Sequence, residues 1–573
     1  MKGKTYYTPI KEKSSFSRKH HLFLFGVSLL ILTSILVTSC AGSQTATVLP
    51  QATSEPTAAQ VEPTKMEVPT EVVVEPTDTI VPTEAPSISG GTLKFGLSTE
   101  PPGLDPAINT GTAATTVKLA VYRGLVVYNK GGEITYELAE SLDQPDDVTY
   151  IFHLRPNAYF HNGDPVTAED VKFTFDRILD PDVGASLYTQ FQVIDSIDVL
   201  DDKTVQFKLK QPNAPFMDYL ALHEASIVSK KYVEAGNDLT TNMMGAGPFI
   251  FNRWEKGVKI VVDRNPNYYK EGLPKLDQIE FITFRDEDLR VTALKTGDID
   301  IIEFVPWKDM PSIEADPNLT LQTTGGPFMY LVFNTAVPPF DNAEVRRALG
   351  YAIDRQAILD AAFVGRGSPL YGLPIPKESL AYDEELVNFW EYDPDKAKQM
   401  LADAGFPNGF SAKLLSTNTY AMHEQTAVIV EDSLKKIGLD IQLDLSEWGV
   451  RVERGNSGDY EFGVMGTGAE IIDPDFLTAF FCLEKFDYRR TLNWKNEEVC
   501  NLLDEARSTL DTSRRKELYK QLGLIALQES PYVFLTWREQ GYAFQNYVEG
   551  FENLPGWLTF YSGAVLEGVS LNK

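Results

Sequence analysis

The chain of 573 residues is strongly acidic, with 81 Asp and Glu against 52 Lys and Arg and a formal net charge of −29. A polyanion of this size repels phosphate backbones and anionic lipid headgroups, so nucleic-acid binding is excluded and any membrane link must come from an anchor. The chain is also too long for one hydrophobic core, which predicts two or three domains.

A leader over residues 1–39 precedes the first cysteine. Its N-terminal part is basic, Leu22–Thr38 carries no charge, and the small residue Ser39 stands directly before Cys40. This order predicts a secretory signal peptide, and the cysteine resembles that of the bacterial lipobox, which is lipidated at its thiol. The alternative is an uncleaved membrane helix, because the apolar stretch is near the short limit for spanning a bilayer. Both interpretations place the rest of the chain outside the cytoplasm.

Residues 40–90 repeat a Pro-Thr-acid pattern, as in Glu55-Pro56-Thr57 and Glu75-Pro76-Thr77, and contain no aromatic side chain. Such a segment has too little apolar surface to offset the entropy of ordering, and its prolines favour extended conformations. We therefore predict a disordered tether between the lipidated Cys40 and the folded domains.

Two further cysteines follow, Cys482 and Cys500. An even pair in an oxidising compartment predicts a disulfide bond. Two free, buried thiols are the alternative. A zinc site is less expected, because two thiols without a nearby histidine make an incomplete ligand set.

From residue 91 onward, strand-like and helix-like patterns alternate, which predicts an α/β fold. Thr92–Leu97 is a predicted strand, and Ala168–Leu179 and Pro394–Ala404 are predicted helices. Thr167 and Asp393, which directly precede these helices, are typical N-cap residues.

Motifs for catalysis are absent from the sequence: it contains no GxSxG, P-loop, HExxH or CxxC. Gly466-Thr467-Gly468 comes nearest to a nucleotide fingerprint but lacks the third glycine. The histidines outside the leader are not spaced as helical metal ligands, so we expect structural roles for all four: His153, His161, His223 and His423. The sequence therefore predicts a binding protein without metal or cofactor rather than an enzyme.

Several motifs occur in a fixed order from Gly91 to the C-terminus. They include GLDPAINTGTAATTVKLAVYRGLVVYN, FHNGDPVTAEDVKFTFDRILDP, GAGPFIFNRWEKGVKIVVDRNPNYY, DEDLRVTALKTGDIDII and LVFNTAVPPFDNAEVRRALGYAIDRQAIL. Together they resemble the family 5 extracellular solute-binding proteins, the peptide-binding components of ABC importers.

The resemblance implies a periplasmic-binding-protein-like class II architecture, in which two α/β lobes are joined by two hinge crossovers and an extra subdomain is inserted in the first lobe. Carried onto this chain, it predicts lobe I over 91–325 plus 531–573, the inserted subdomain near 137–245, lobe II over 326–530, and crossovers near 324–327 and 529–532.

The resemblance also implies a ligand site in the cleft between the lobes. Glu470 stands three residues before Asp473, where family members commonly carry an aspartate that neutralises the peptide ammonium. Trp448 resembles an aromatic residue that packs on the ligand. Arg454, with Arg451 as the alternative, is expected to meet a ligand carboxylate. The two lips of the cleft are predicted at Thr110, Gly111 and Thr112, and at Gly466, Thr467, Gly468 and Ala469.

The predicted function is capture of peptides by a monomeric, lipid-anchored protein on the outer face of the cytoplasmic membrane, in the periplasm or at the cell surface. The closed form would deliver its ligand to the permease subunits of an ABC importer. An oligosaccharide ligand is an alternative, because some family members bind sugars on aromatic platforms. A surface sensor or adhesin sharing the fold is another. A surface hydrolase is disfavoured, since no organised nucleophile and base are visible.

Overall fold

The computed structural model describes residues 90–482 and 488–573. The predicted signal peptide over 1–39, the lipidation at Cys40 and nearly all of the predicted tether lie outside the described residues. Within the two described ranges, no helix has both the length and the apolar character needed to cross a bilayer.

Lobe I is built on a seven-stranded sheet. Its central strand, Thr92–Leu97, pairs in parallel with Gln278–Thr283 and Ile301–Ile302. Phe95 and Leu97 are fully buried in this strand because it is covered on both faces. In spatial order the strands are Leu319–Thr324, Gln540–Gln545, Ile301–Ile302, Thr92–Leu97, Gln278–Thr283, Lys259–Arg264 and Phe249–Glu255.

Shorter elements complete lobe I. Its helices are Thr112–Val121, Glu287–Thr296 and Met310–Glu314, with 3₁₀ helices at His223–Ala225, Trp307–Asp309 and Gly556–Gly568. Two small antiparallel pairs are formed by Val126–Tyr128 with Ile134–Tyr136 and by Val548–Glu549 with Ser570–Leu571.

A four-stranded antiparallel sheet forms the inserted subdomain and lies inside the range 137–245. Its strands, in spatial order, are Ala139–Asp146, Thr149–Leu154, Thr204–Leu209 and Ile194–Asp201. The helix Ala168–Ile178 packs on it through Phe175, whose ring contacts those of Phe191 and Phe207. Thr167 and Asp170 cap this helix reciprocally. The remaining helices are Tyr188–Phe191, Phe216–Leu220 and Lys230–Glu234.

Lobe II is built on a mixed six-stranded sheet. Every residue of its strand Phe328–Phe333 is buried, as in a strand covered on both faces, and the strand pairs with a neighbour on each side. The spatial order is Gly367–Pro369, Tyr532–Arg538, Phe328–Phe333, Phe462–Thr467, Ser411–Thr417 and Asp440–Ser446. The helices are Ala343–Ala352, Arg355–Phe363, Glu384–Val387, Pro394–Asp403, Ala421–Lys436, Trp448–Ser457, Thr478–Phe481, Glu497–Ser508 and Thr512–Glu529, with a 3₁₀ helix at Pro474–Leu477.

Two crossovers connect the lobes. The first joins Thr324, the end of a lobe I strand, to Phe328, the start of a lobe II strand. The second was predicted at 529–532, and this boundary is wrong. The strand Tyr532–Arg538 pairs with the central strand of lobe II, and the chain returns to lobe I only through Glu539.

The misplaced boundary has a local cause. Ser530 adopts a left-handed conformation with φ 45° and ends the helix Thr512–Glu529, so the Ser530-Pro531 pair is a helix cap rather than a hinge. The boundaries of the lobes are therefore 91–325 plus 540–573 for lobe I and 326–538 for lobe II.

Candidate functional site

A cavity of about 450 Å³ lies between the two lobes, within the range typical of small-molecule sites. Lobe I contributes residues 98–102, which directly follow the central strand Thr92–Leu97, and the first turn of the helix Glu287–Thr296. Lobe II contributes Tyr420 and Trp448, at the starts of two helices. The cavity thus opens at the carboxyl end of a parallel strand, where α/β sheets bind ligands.

Aromatic side chains form the lobe II wall of this cavity. The Trp448 ring lies edge-on to Tyr420 and Tyr488, with centroid distances of 5.2 and 5.9 Å. His423 lies behind Trp448 at 5.8 Å, and burial lowers its pKa to about 3, helped by the nearby positive charges of Arg451 and Arg538. His423 is therefore neutral at physiological pH, and the charged group of this wall is the Glu447 carboxylate.

Charged side chains form much of the lobe I wall. Arg285 Nη2 lies 3.4 Å from Glu100 Oε2, and Glu100 Oε1 accepts a hydrogen bond from the Gly257 amide at 2.7 Å. Arg290 is buried and donates to the carbonyl oxygens of Phe284 and Phe304. These groups are held by protein partners, which fixes their positions before any ligand arrives.

Glu470 lies outside the lining of this cavity. Its Oε1 is 3.4 Å from Arg489 Nη1 and 3.5 Å from Arg490 Nη2. The Arg490 guanidinium is buried and stacks 4.4 Å from the centre of the Phe480 ring. The carboxylate predicted to neutralise a ligand ammonium is thus already flanked by two cations of its own lobe, a pairing that sequence analysis missed.

The lip at residues 466–469 brings the lobes close together. Gly468 is buried, and a β-carbon built on it would lie 3.0 Å from Phe560 Cε2 and 3.2 Å from Trp557 Cβ, both in lobe I. A β-carbon on Gly466 would meet Met329 Sδ at 2.7 Å. Thr467 ends its strand opposite Phe328. A small residue is therefore needed at Gly468 for the lobes to approach, and at Gly466 for packing within lobe II.

Residues 110–112 begin the helix Thr112–Val121 and do not line the cavity. Gly111 adopts φ 101° as the N-cap, without a side-chain cap. The Thr110 hydroxyl is buried and has no hydrogen-bond partner among the described residues. The neighbouring Asn109 donates from Nδ2 to Glu224 Oε1 at 2.7 Å, which fixes the loop before the helix.

The structure disfavours a ligand-binding role for either candidate arginine. Arg454 pairs with Asp444 at 2.8 Å and with Asp459 at 3.0 Å, so its guanidinium is occupied by carboxylates of its own lobe. Arg451 is fully buried and donates to the carbonyl oxygens of Val464 and Tyr488. Of the predicted site residues, Trp448 is the one that reaches the cavity.

Contacts between the inserted subdomain and lobe II bridge the cleft. Tyr219 Oη donates to Asp475 Oδ2 at 2.8 Å, and the Ala214 amide donates to the Arg507 carbonyl at 2.8 Å. Asp218 accepts from Tyr128 Oη at 2.8 Å, and its pKa is raised to about 6 by burial, with the charge of Asp473 in lobe II adding to the shift. These contacts describe a closed arrangement of the lobes.

The described residues contain no group of three His, Cys, Asp or Glu side chains placed to hold a metal ion. The Sγ atoms of Cys482 and Cys500 are 2.02 Å apart, which is a disulfide bond. This bond ties the end of the helix Thr478–Phe481 to the helix Glu497–Ser508.

Comparison with known proteins gives one matching family model, "Bacterial extracellular solute-binding proteins, family 5 Middle", over residues 133–487. The glutathione-binding protein GsiB of Pectobacterium atrosepticum is 30% identical over 81% of this chain and 92% of its own length. The structure of AgaA from A. tumefaciens R10 in complex with agropinic acid is 42% identical, covers 84% of this chain and 99% of its own, and superposes with a TM-score of 0.80. DppA of Helicobacter pylori in complex with the peptide STSA is 29% identical over 84% and 98% of the two chains, with a TM-score of 0.77.

Proposed function

We propose that this chain, which belongs to family 5 of the bacterial extracellular solute-binding proteins, captures a small peptide or peptide-like compound between its lobes and delivers it to an ABC importer. The observation that carries this proposal is the cavity whose walls come from both lobes, with Trp448 and Tyr420 facing the charged lobe I wall. A ligand touching both walls stabilises the closed form by its differential affinity for that form. The permease subunits would then recognise the closed lobes.

The relatives support this class of ligand. GsiB is a glutathione-binding protein and DppA was solved with a peptide, while AgaA was solved with agropinic acid. A non-peptide organic acid is therefore the second candidate, favoured by the 42% identity to AgaA. An oligosaccharide remains a further candidate, for which the aromatic pair Trp448 and Tyr420 would be the platform.

The signal peptide over 1–39, the lipidated Cys40 and the tether over 40–90 complete the proposal. The signal peptide would direct export and then be removed, and the lipidated Cys40 and the tether would hold a monomeric binding protein at the outer face of the cytoplasmic membrane, near its permease. Palmitate labelling of the expressed chain, compared with a Cys40→Ala variant, tests the anchor. Label on the wild type alone supports lipidation, and label on neither contradicts it.

The test of the function is the identity of the natural ligand. Protein purified gently is denatured, and the small molecules that it releases are identified by mass spectrometry. A peptide of a few residues, or an amino-acid conjugate, supports the proposal. Trp448→Ala should release much less of it, and Trp494→Ala, which changes a lobe II tryptophan outside the cavity lining, should release as much as the wild type.

A further inference from the structure

Glu287 is a cavity residue that neither the sequence motifs nor the proposed function uses. It is the first residue of the helix Glu287–Thr296 and lines the cavity from lobe I. The preceding residue, Asp286, caps the helix by accepting a hydrogen bond from the Leu289 amide at 2.9 Å. The Glu287 carboxylate is therefore not needed as the cap.

Three carboxylates line the cavity, and two of them have partners. Glu100 binds the Gly257 amide and pairs with Arg285. Glu447 accepts from the Gly449 amide at 2.8 Å and caps its own helix. In the part of the chain that the structure describes, no donor lies within hydrogen-bonding distance of the Glu287 carboxylate, which interacts with its neighbours through longer-range charge alone.

The nearby cations do not neutralise Glu287 by contact. Among the cavity residues, Lys256 lies over the Trp254 ring, and Arg285 pairs with Glu100. Arg290, one turn along the same helix face, directs its guanidinium to the carbonyl oxygens of Phe284 and Phe304. Lys308 pairs with Asp288 at 2.5 Å on the outer side of the helix. Burial raises the pKa of Glu287, and the positive charges of Arg290 and Lys308 lower it only in part. A mostly buried carboxylate without a bonded partner costs stability unless a ligand supplies the partner.

Two aromatic residues of lobe II line the same cavity as this carboxylate. Tyr420 lies near enough for the charge of Glu287 to contribute to the rise in its pKa, and Trp448 lines the same cavity beside it. A carboxylate combined with aromatic faces is a suitable environment for an organic cation, because the carboxylate pairs with the charge and the rings attract it.

We propose that Glu287, Tyr420 and Trp448 form a subsite for a cationic group of the ligand, either an ammonium or a guanidinium. This inference rests on the proposed function and names the charged group that the cavity selects. It also moves the cation site away from Glu470, whose carboxylate is flanked by Arg489 and Arg490. The cation would complete its contacts only when the lobes close, since the carboxylate and the rings belong to different lobes.

The test uses a pool of Ala-X-Ala tripeptides, with X being Ala, Leu, Glu, Lys or Arg, each with a free or an acetylated N-terminus. Native mass spectrometry of the stripped, full-length protein measures which members are retained by the wild type, Glu287→Gln and Asp288→Asn. The last variant is the matched control, since it removes the same charge from the adjacent, exposed residue of the same helix.

We expect the wild type and Asp288→Asn to retain the members that carry a cation, and Glu287→Gln to retain them about tenfold less or weaker still. Loss confined to free N-termini identifies the ligand amine, and loss confined to Lys and Arg identifies a side chain. Equal retention by wild type and Glu287→Gln, or a wild type that prefers acetylated, neutral members, overturns the inference.

If the wild type retains no tripeptide, the result counts against the proposed peptide function and not against the cation subsite. A second measurement then tests the cation subsite. Melting temperatures of the stripped proteins at pH 7 are compared. An uncompensated Glu287 charge predicts a higher melting temperature for Glu287→Gln than for the wild type. An equal or lower value shows that Glu287 has a structural role and overturns the inference.

Discussion

Tyr219 of the inserted subdomain and Asp475 of lobe II are joined by a hydrogen bond of 2.8 Å that crosses the cleft. Asp475 is fully buried and also lies 3.1 Å from Arg507 Nε, and it accepts from the Thr478 hydroxyl. Opening the lobes must break the bond to Tyr219, whereas the partners from lobe II remain. Asp475 is therefore a fixed, preformed acceptor on which the inserted subdomain closes.

Tyr219→Phe removes the donor of this bond and leaves the ring in place. We expect the free energy of unfolding to fall by about 1 kcal/mol, and the ligand-free protein to become more open, measured as a larger radius of gyration in small-angle scattering. Tyr188→Phe is the control, because it makes the same change in the same subdomain at a tyrosine outside the bridging contacts. Equal effects of the two variants would contradict a closing role for Tyr219.

Arg507→Met is expected to be far more disruptive than Tyr219→Phe. It leaves the buried Asp475 carboxylate without its cation, and removing one partner of a buried ion pair typically costs about 3–5 kcal/mol. Urea denaturation measures the loss. Adding Asp475→Asn to the same chain should restore part of the stability, since the charge left without a partner is then gone. Failure of this second change to restore anything would contradict the explanation.

Asp218 predicts a pH dependence of stability. Its pKa is raised from 3.8 to about 6, so its charged form costs stability above about pH 6. This cost declines as the pH falls through 6 and is gone below 3.8, where the group is protonated in both states. Asp218→Asn should therefore raise the melting temperature relative to wild type at pH 7, and the difference should shrink by pH 4. A difference that is constant with pH would contradict the shift.

Gly468 is expected to control closure. Gly468→Val introduces a side chain against Phe560 and Trp557 of lobe I, so the lobes should be held apart and ligand retention reduced, with a smaller effect on the melting temperature. Gly568→Val is the control, because a β-carbon there meets no atom within 4 Å. Wild-type retention by Gly468→Val would show that the lobes do not need this close approach.

The disulfide bond predicts a stability difference on mutation. It links residues 18 apart in sequence, and a loop of this size contributes about 3 kcal/mol in the chain-entropy description. The double variant Cys482→Ser, Cys500→Ser should lose about this much free energy of unfolding under oxidising conditions. Under reducing conditions its stability should match that of the wild type. Equal stability under both conditions would contradict the cross-link.

The fold was largely predictable from the sequence because its signals are local. The bounds of the strand Thr92–Leu97 match the pattern of apolar residues, and the caps at Thr167 and Asp393 mark where their helices begin. The second crossover was misplaced because Ser530-Pro531 has the composition of a hinge. Only the pairing of Tyr532–Arg538 with Phe328–Phe333, two segments distant in sequence, reveals that it is a helix cap.

The site was less predictable because charge pairing depends on the folded chain. Glu470 meets arginines 19 and 20 residues further along, and Arg454 meets two carboxylates of its own lobe; neither partner set has a sequence signature. Glu287 and Trp448 line one cavity only because the crossovers bring two lobes together. Trp448, which lines the cavity, could be named from the sequence because its surroundings resemble a family motif with an aromatic residue expected to pack on the ligand.

The most direct test of the account is a crystal structure of the protein purified with its natural ligand. Ligand electron density between the lobes, in contact with Trp448 and Tyr420 and with a cationic group against Glu287, is the predicted result. Density for the ligand outside this cavity, or a ligand that touches only one lobe, would contradict capture between the lobes.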